Sequence, residues 1–198
     1  MRARPTRGVL QARAMLLGSA HVLARVAEQE AERVEELARL FARTLKAGGA
    51  VYFCGNGGSA ADSQHLAAEL CGRFYRDRAP LRVAALTTNS SALTALANDY
   101  SFDQVFERQV RAYGRRGDVL VGISTSGRSP NVRAALKAAR RLGMVTVGLT
   151  GVRGRALGRW CDHLLVVPSE DVARIQEGHI LLGHVICART EALLFPRR

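Results

Sequence analysis

Residues Val51–Arg73 read VYFCGNGGSAADSQHLAAELCGR. A short apolar run, Val51 to Cys54, meets the turn Gly55, Asn56, Gly57, Gly58, and from Ser59 onward the segment consists of good helix formers. The order is strand, tight loop, helix. Glycines let the backbone take positive φ and come close to a ligand, and the first turn of a helix leaves unpaired N–H groups that favour an anion. Gly57, Gly58 and Ser59 are therefore a candidate phosphate cradle. Within the helix, His65 and Glu69 are spaced i, i+4, so both lie on one face about 6 Å apart along the axis. The plainer reading of that spacing is a surface ion pair.

Upstream, Val9 to Lys46 is helical in pattern, with Leu10, Ala14, Leu17, Ala24, Val34, Leu37, Phe41 and Leu45 recurring among charges. Two helices, or one broken near Gln29, fit, and Gly48 and Gly49 end the region as a C-cap does. Residues 1–47 thus read as an N-terminal helical region whose apolar stripe packs on another copy of the chain or on its own sheet, and 48–198 as the α/β domain. The first residues, arginine-rich and free of acids, read as a frayed tail, too short in apolar content for a secretory signal.

Downstream, Leu81–Leu86 is expected as a second strand, followed by helices over Ser91–Ala97 and Phe102–Tyr113, with Asn98, Asp99 and Tyr100 breaking between them. A third strand, Val119–Ile123, runs into Ser124, Thr125, Ser126, Gly127, Arg128, Ser129. Pro130 then opens a helix, with Ser129 at its N-cap. Capping needs one hydroxyl and this loop has four, so a second phosphate-binding turn is expected. Strands at Val145–Thr150 and His163–Val167 and a long helix from Val172 to about Leu194 complete the chain. Strands alternating with helices predict an α/β fold: five parallel strands with helices on both faces, a flavodoxin-like three-layer arrangement preceded by N-terminal helices. Both special loops lie at carboxyl ends of strands, where such sheets bind ligands.

With 198 residues the chain suits one domain with a full core, and no apolar run approaches a membrane span of roughly 20 residues. Cys54, Cys71, Cys161 and Cys187 show no close pairing, as reduced thiols in a cytoplasmic protein would. The net charge of +12 raises nucleic acid as a partner. The arginines, however, are spread along the chain with no evident basic helix, and lysine occurs only at Lys46 and Lys137. This reads as compositional bias rather than a nucleic-acid surface.

Three separated motifs in order, CGNGGSAADSQHLAAELCGRF, GISTSGRSPNV and ARIQEGHILLGHVI, resemble the phosphoheptose isomerases, or sedoheptulose 7-phosphate isomerases, of the sugar isomerase (SIS) domain superfamily. The likeness spans nearly the whole chain. It implies an aldose–ketose isomerase converting sedoheptulose 7-phosphate to D-glycero-D-manno-heptose 7-phosphate through an enediol, as the first step of nucleotide-heptose biosynthesis for lipopolysaccharide or a related product. It further implies Glu69 as general base and His184 as the complementary acid or base. His65, Glu69, Gln176 and His184 become a zinc site, with no organic cofactor. Asn56, Gly57, Gly58, Ser59, Arg73, Asn98, Asp99, Ser124, Thr125, Ser126, Ser129 and Gln176 become substrate contacts. The family also implies a cytoplasmic homotetramer in which the last-helix histidine reaches a neighbouring subunit's site. One departure is Ala173, where an acidic residue is expected. The alternative within the superfamily is a non-catalytic SIS scaffold that associates with the replication initiator; the glutamate at 69 favours the enzyme. Sugar-phosphate-sensing regulators carry a longer N-terminal domain, and pentose-phosphate isomerases of the superfamily carry extra regulatory domains.

Overall fold

The computed structural model describes residues 5–196. It contains α1 (Arg7–Lys46), β1 (Val51–Gly55), α2 (Gly58–Cys71), β2 (Val83–Ala85), α3 (Ser90–Asp99), α4 (Val105–Tyr113), β3 (Val119–Ile123), α5 (Pro130–Arg141), β4 (Val145–Gly151), β5 (His163–Val167) and α6 (Val172–Leu194). Short 3-10 turns occupy Phe102–Gln104 and Val152–Trp160. The second strand is shorter than its apolar run suggests, and the N-terminal region is one unbroken 40-residue helix where a break near Gln29 was expected. Nothing around Gln29 stops a helix: the local sequence ARVAEQEAERVEEL has no glycine or proline. Residues 1–4 of the expected tail lie outside the described residues.

All five strands are parallel in the order β2-β1-β3-β4-β5. Side chains alternate between two cores, as a pleated strand requires. Val51, Phe53, Val121, Ile123, Val147 and Leu149 pack with Leu37, Phe41, Leu66, Leu70 and Leu182 of α1, α2 and α6. Cys54 and Leu120 pack with Phe106, Val110, Leu136 and Leu157 on the other face. The sheet order changes direction between β1 and β3, so the turns after these two strands flank the switch point where an open parallel sheet forms its crevice.

The first half of α1 projects from this body. Val9, Leu10, Met15, Leu16 and Leu17 are 51–71% exposed, and the helix first becomes buried at Val26. The arginines are also less dispersed than the sequence suggests. Helix α5 carries Arg133, Lys137, Arg140 and Arg141 and no acid, with Lys137 4.2 Å above the Trp160 ring. A basic helix is therefore present.

His179, expected to be structural or exposed, is fully buried on α6. Neither ring nitrogen makes a sound hydrogen bond within the described residues. Burial lowers its pKa to about 4, and the adjacent Thr150 backbone opposes this without cancelling it. The neutral ring is thus the form that folds. Its stabilising contribution is complete above the unfolded value of 6.5 and is lost as pH falls towards 4. The full shift corresponds to about 3 kcal/mol. Denaturant titrations at pH 7 and pH 4.5 are expected to show His179→Leu losing less stability on acidification than wild type; equal losses would contradict the assignment.

Candidate active site

The turn after β1 depends on glycine at two points. Gly57 has φ 55° and ψ −122°, a conformation closed to residues with a Cβ. A Cβ at Gly55 would lie 2.6 Å from the Ser59 carbonyl oxygen. With that close approach, Ser59 N–H donates to the Asn56 carbonyl at 3.0 Å and α2 begins. The Asn56 carboxamide makes two reciprocal 2.9 Å hydrogen bonds with Asn131, at the start of α5. Asn131 is 1% exposed, and its Oδ1 also accepts the Val132 N–H. The two turns at the switch point are thereby fastened together.

The turn after β3 is just as constrained. Gly127 has φ 60° and sits directly on Gly154 of the 3-10 segment. The Thr125 carbonyl accepts the Gly151 N–H at 3.0 Å and the Thr150 hydroxyl at 3.3 Å. Ser129 occupies the N-cap position of α5 but makes no capping hydrogen bond; its hydroxyl pairs with that of Ser124 at 2.9 Å. Ser126 Oγ accepts the Arg128 N–H. Hydroxyls thus lie at the start of α5, with the Arg133 guanidinium donating to the Gly127 carbonyl at 2.8 Å, a setting suited to an anion.

Beyond the first turn of α2, His65 and Glu69 face His184 of α6. The Nε2 atoms of the two histidines are 2.8 Å apart, and Glu69 Oε1 lies 3.3 Å from His65 Nε2. Both helices belong to one chain, so His184 meets the Glu69 of its own subunit, where the resemblance implied a reach into a neighbour. Glu69 keeps 21% of its side chain exposed and His65 48%, so the group borders solvent. One atom from each of the three lies within 4.8 Å of the others. Two imidazole nitrogens that face each other can share only one proton, and with a carboxylate beside them they form a donor set suited to zinc.

The Gln176 carboxamide lies against Gly58, at the start of α2, so closely that a Cβ there would collide with it. Arg73 lies on the exposed segment after α2. Asn98 and Asp99 hydrogen bond to each other at the exposed end of α3, which packs on α4. Among the described residues, no hydrogen bond links either of them to the rest of the site. At Ala173 the backbone N–H donates to Asp171, whose carboxylate is the N-cap of α6.

The SIS domain family model matches residues 18–151. A phosphoheptose isomerase of Nitratidesulfovibrio vulgaris is 56% identical over 85% of this chain and 81% of its own, and that of Maridesulfovibrio salexigens is 55% identical over 85% and 82%. The chain belongs to the phosphoheptose isomerase family of SIS domains. In structure it is similar to the phosphoheptose isomerase of Neisseria gonorrhoeae, with a TM-score of 0.86 and 46% identity over 92% of this chain and 99% of that one.

Four residues of this SIS domain escaped the sequence reading. Asn131 follows a proline at a helix start and looks like ordinary capping, yet it bridges the two turns. Phe74 lies over the His184 imidazole, ring centroids 5.7 Å apart and planes 25° from parallel. Arg78 and Glu191 form an ion pair in which each side chain is nearly inaccessible to solvent. The spacing i, i+7 between His184 and Glu191 places both on one side of α6, and it was the one available signal.

Proposed function

We propose that this isomerase interconverts sedoheptulose 7-phosphate and D-glycero-D-manno-heptose 7-phosphate, the first step towards an activated heptose. The observation that carries this reading is the meeting of Glu69 from α2 with His184 from α6, on the helix that the first of two joined phosphate-type turns opens. Moving a carbonyl between C1 and C2 needs a base at carbon and an acid at oxygen, with an enediol between them and no redox cofactor. Glu69 takes the proton from one carbon and returns it to the other. His184 donates to the carbonyl oxygen and recovers the proton from the neighbouring hydroxyl. Ser59, Ser124, Thr125, Ser126 and Ser129 hold the phosphate with the N–H groups of Gly57, Gly58 and the start of α5. Asn56, Gln176, Arg73, Asn98 and Asp99 line the sugar's path, the last two from a position that another subunit would have to complete.

His65, Glu69 and His184 would hold a zinc ion, with Gln176 as the further ligand implied by resemblance. Bound there, zinc supplies Lewis acidity to the sugar oxygens. Incubation of the protein with sedoheptulose 7-phosphate, followed by NMR of the anomeric protons, is expected to show the aldose. No aldose signal with or without added zinc would overturn this reading. The scaffold alternative is disfavoured by Glu69 and His184, which such a role leaves without a task.

The region 1–47 is proposed to build a homotetramer with α6 from other copies. The support is the bare apolar arm of α1 and a groove of about 300 Å³ lined by Val26, Ala31, Val34, Leu182 and Val185. Exposed apolar surface of this extent marks an interface. Light scattering at micromolar protein is expected to give four times the 21.5 kDa chain mass, and Leu16→Glu combined with Leu17→Glu to reduce it; a monomeric wild type would refute the assembly. Among the described residues no helix is long and apolar enough to cross a membrane, and a cytoplasmic location fits a reaction on soluble sugar phosphates.

A further inference from the structure

A buried ion pair lies behind the proton-transfer groups. The side chains of Arg78 and Glu191 are 2% and 1% exposed, with Nε 3.2 Å from Oε1. Arg78 also donates to the carbonyls of Glu69 at 3.0 Å, Leu70 at 2.8 Å and Gly72 at 2.7 Å. These are carbonyls at the end of α2, which a helix leaves without internal partners. The guanidinium therefore caps the helix at the residue that supplies the carboxylate. Glu191 in turn accepts the backbone N–H of Phe74 at 3.2 Å and of Tyr75 at 2.9 Å. The segment so held places the Phe74 ring over His184, and Arg73 stands between Gly72 and Phe74, two residues that the pair grips directly.

Two buried charges are a poor device for stability alone, because apolar residues of similar volume often do as well. What a planar guanidinium and a two-oxygen carboxylate add is direction. We infer that Arg78 and Glu191 are positioning residues for Glu69 and His184: the clasp fixes the end of α2 against α6 and keeps Phe74 seated on the imidazole. This rests on the assignment of Glu69 and His184 as the proton-transfer pair.

The test compares Glu191→Gln and Phe74→Leu with wild type, reading kcat and KM for sedoheptulose 7-phosphate well below each melting temperature. It also reads the ring-proton shifts of His184 by nitrogen-15 NMR. A loosened site is expected to lower kcat about tenfold or more in Glu191→Gln while KM changes by less than kcat does, because the phosphate turns lie outside the clasp and Arg73 alone of the sugar contacts named above stands on the segment it grips. The ring-current shift that Phe74 imposes on His184 should be lost in Phe74→Leu and reduced in Glu191→Gln. A Glu191→Gln protein that is less stable but keeps wild-type kcat and wild-type His184 shifts would overturn the inference and leave the pair purely structural. Should that variant fail to fold, Phe74→Leu decides: unchanged kcat and shifts overturn the inference, and changes in both support it. Absence of turnover in wild type would sink the reaction assigned above, and the His184 shifts in Glu191→Gln would still decide the clasp, moved shifts supporting it and unmoved shifts refuting it.

Discussion

Glu69→Gln is expected to retain the fold and substrate binding while losing turnover by about a hundredfold or more, the scale of a missing general base. Glutamine has nearly the same shape, keeps the helix-forming character of α2 and replaces a side chain that remains 21% exposed. It leaves no buried charge unpaired, because the neighbouring side chain, His65, is itself about half exposed. The amide cannot accept a proton from carbon. Steady-state kinetics should therefore show kcat falling with KM little changed, and thermal melting should be close to wild type. In deuterated water the wild type should incorporate solvent deuterium at C1 of the ketose and at C2 of the aldose, and the variant should not at a comparable rate. Turnover at the wild-type level would remove Glu69 from the mechanism.

Gly127→Ala is expected to damage binding rather than chemistry. At φ 60° an alanine is strained, and its Cβ would run into the Gly154 backbone. Strain and overlap of this kind cost about 3 kcal/mol together, which in a chain of this length lowers the melting temperature by roughly 6–12 °C. Relief requires the turn to move away from the 3-10 segment. That would part the Ser124 and Ser129 hydroxyls and the Thr125 carbonyl from the partners that now align them. KM for the sugar phosphate should rise about tenfold, the loss of roughly one charge-assisted hydrogen bond. A variant with wild-type KM would show that the turn does not grip the phosphate.

The fold was readable because its signals are local. Gly55 to Gly58 and Ser124 to Ser129 announce strand-to-helix turns by composition, and the Pro130 helix start follows from one residue. The three later strands, Val119–Ile123, Val145–Gly151 and His163–Val167, stand where their apolar runs place them, to within a residue. The continuity of α1 was obscured because charges interrupt its apolar stripe near Gln29, although no residue there breaks a helix. Of the site, the residues inside motifs could be named. Those that act through tertiary contact could not: Asn131, Phe74, Arg78 and Glu191 become meaningful only when α5, the segment after α2 and the last turns of α6 are brought beside the motif residues. Exposure was equally hidden, since His179 and His184 differ by five positions on one helix, yet the former is sealed in the core and the latter borders solvent.

The long first helix has a consequence for how the protein comes to be made. From Arg7 to Gly18 its residues are exposed, and among the described residues it is tied to the rest of the chain there by the hydrogen bond from Arg174 to the Met15 carbonyl. A helix of that length alone in water is only marginally formed. On a newly released chain this arm should flicker between coil and helix, and in the homotetramer proposed above its ordering would be a bimolecular event. Recovery of full helicity after dilution from denaturant should then quicken with chain concentration, while the sheet behind it forms at a rate indifferent to how many copies are present.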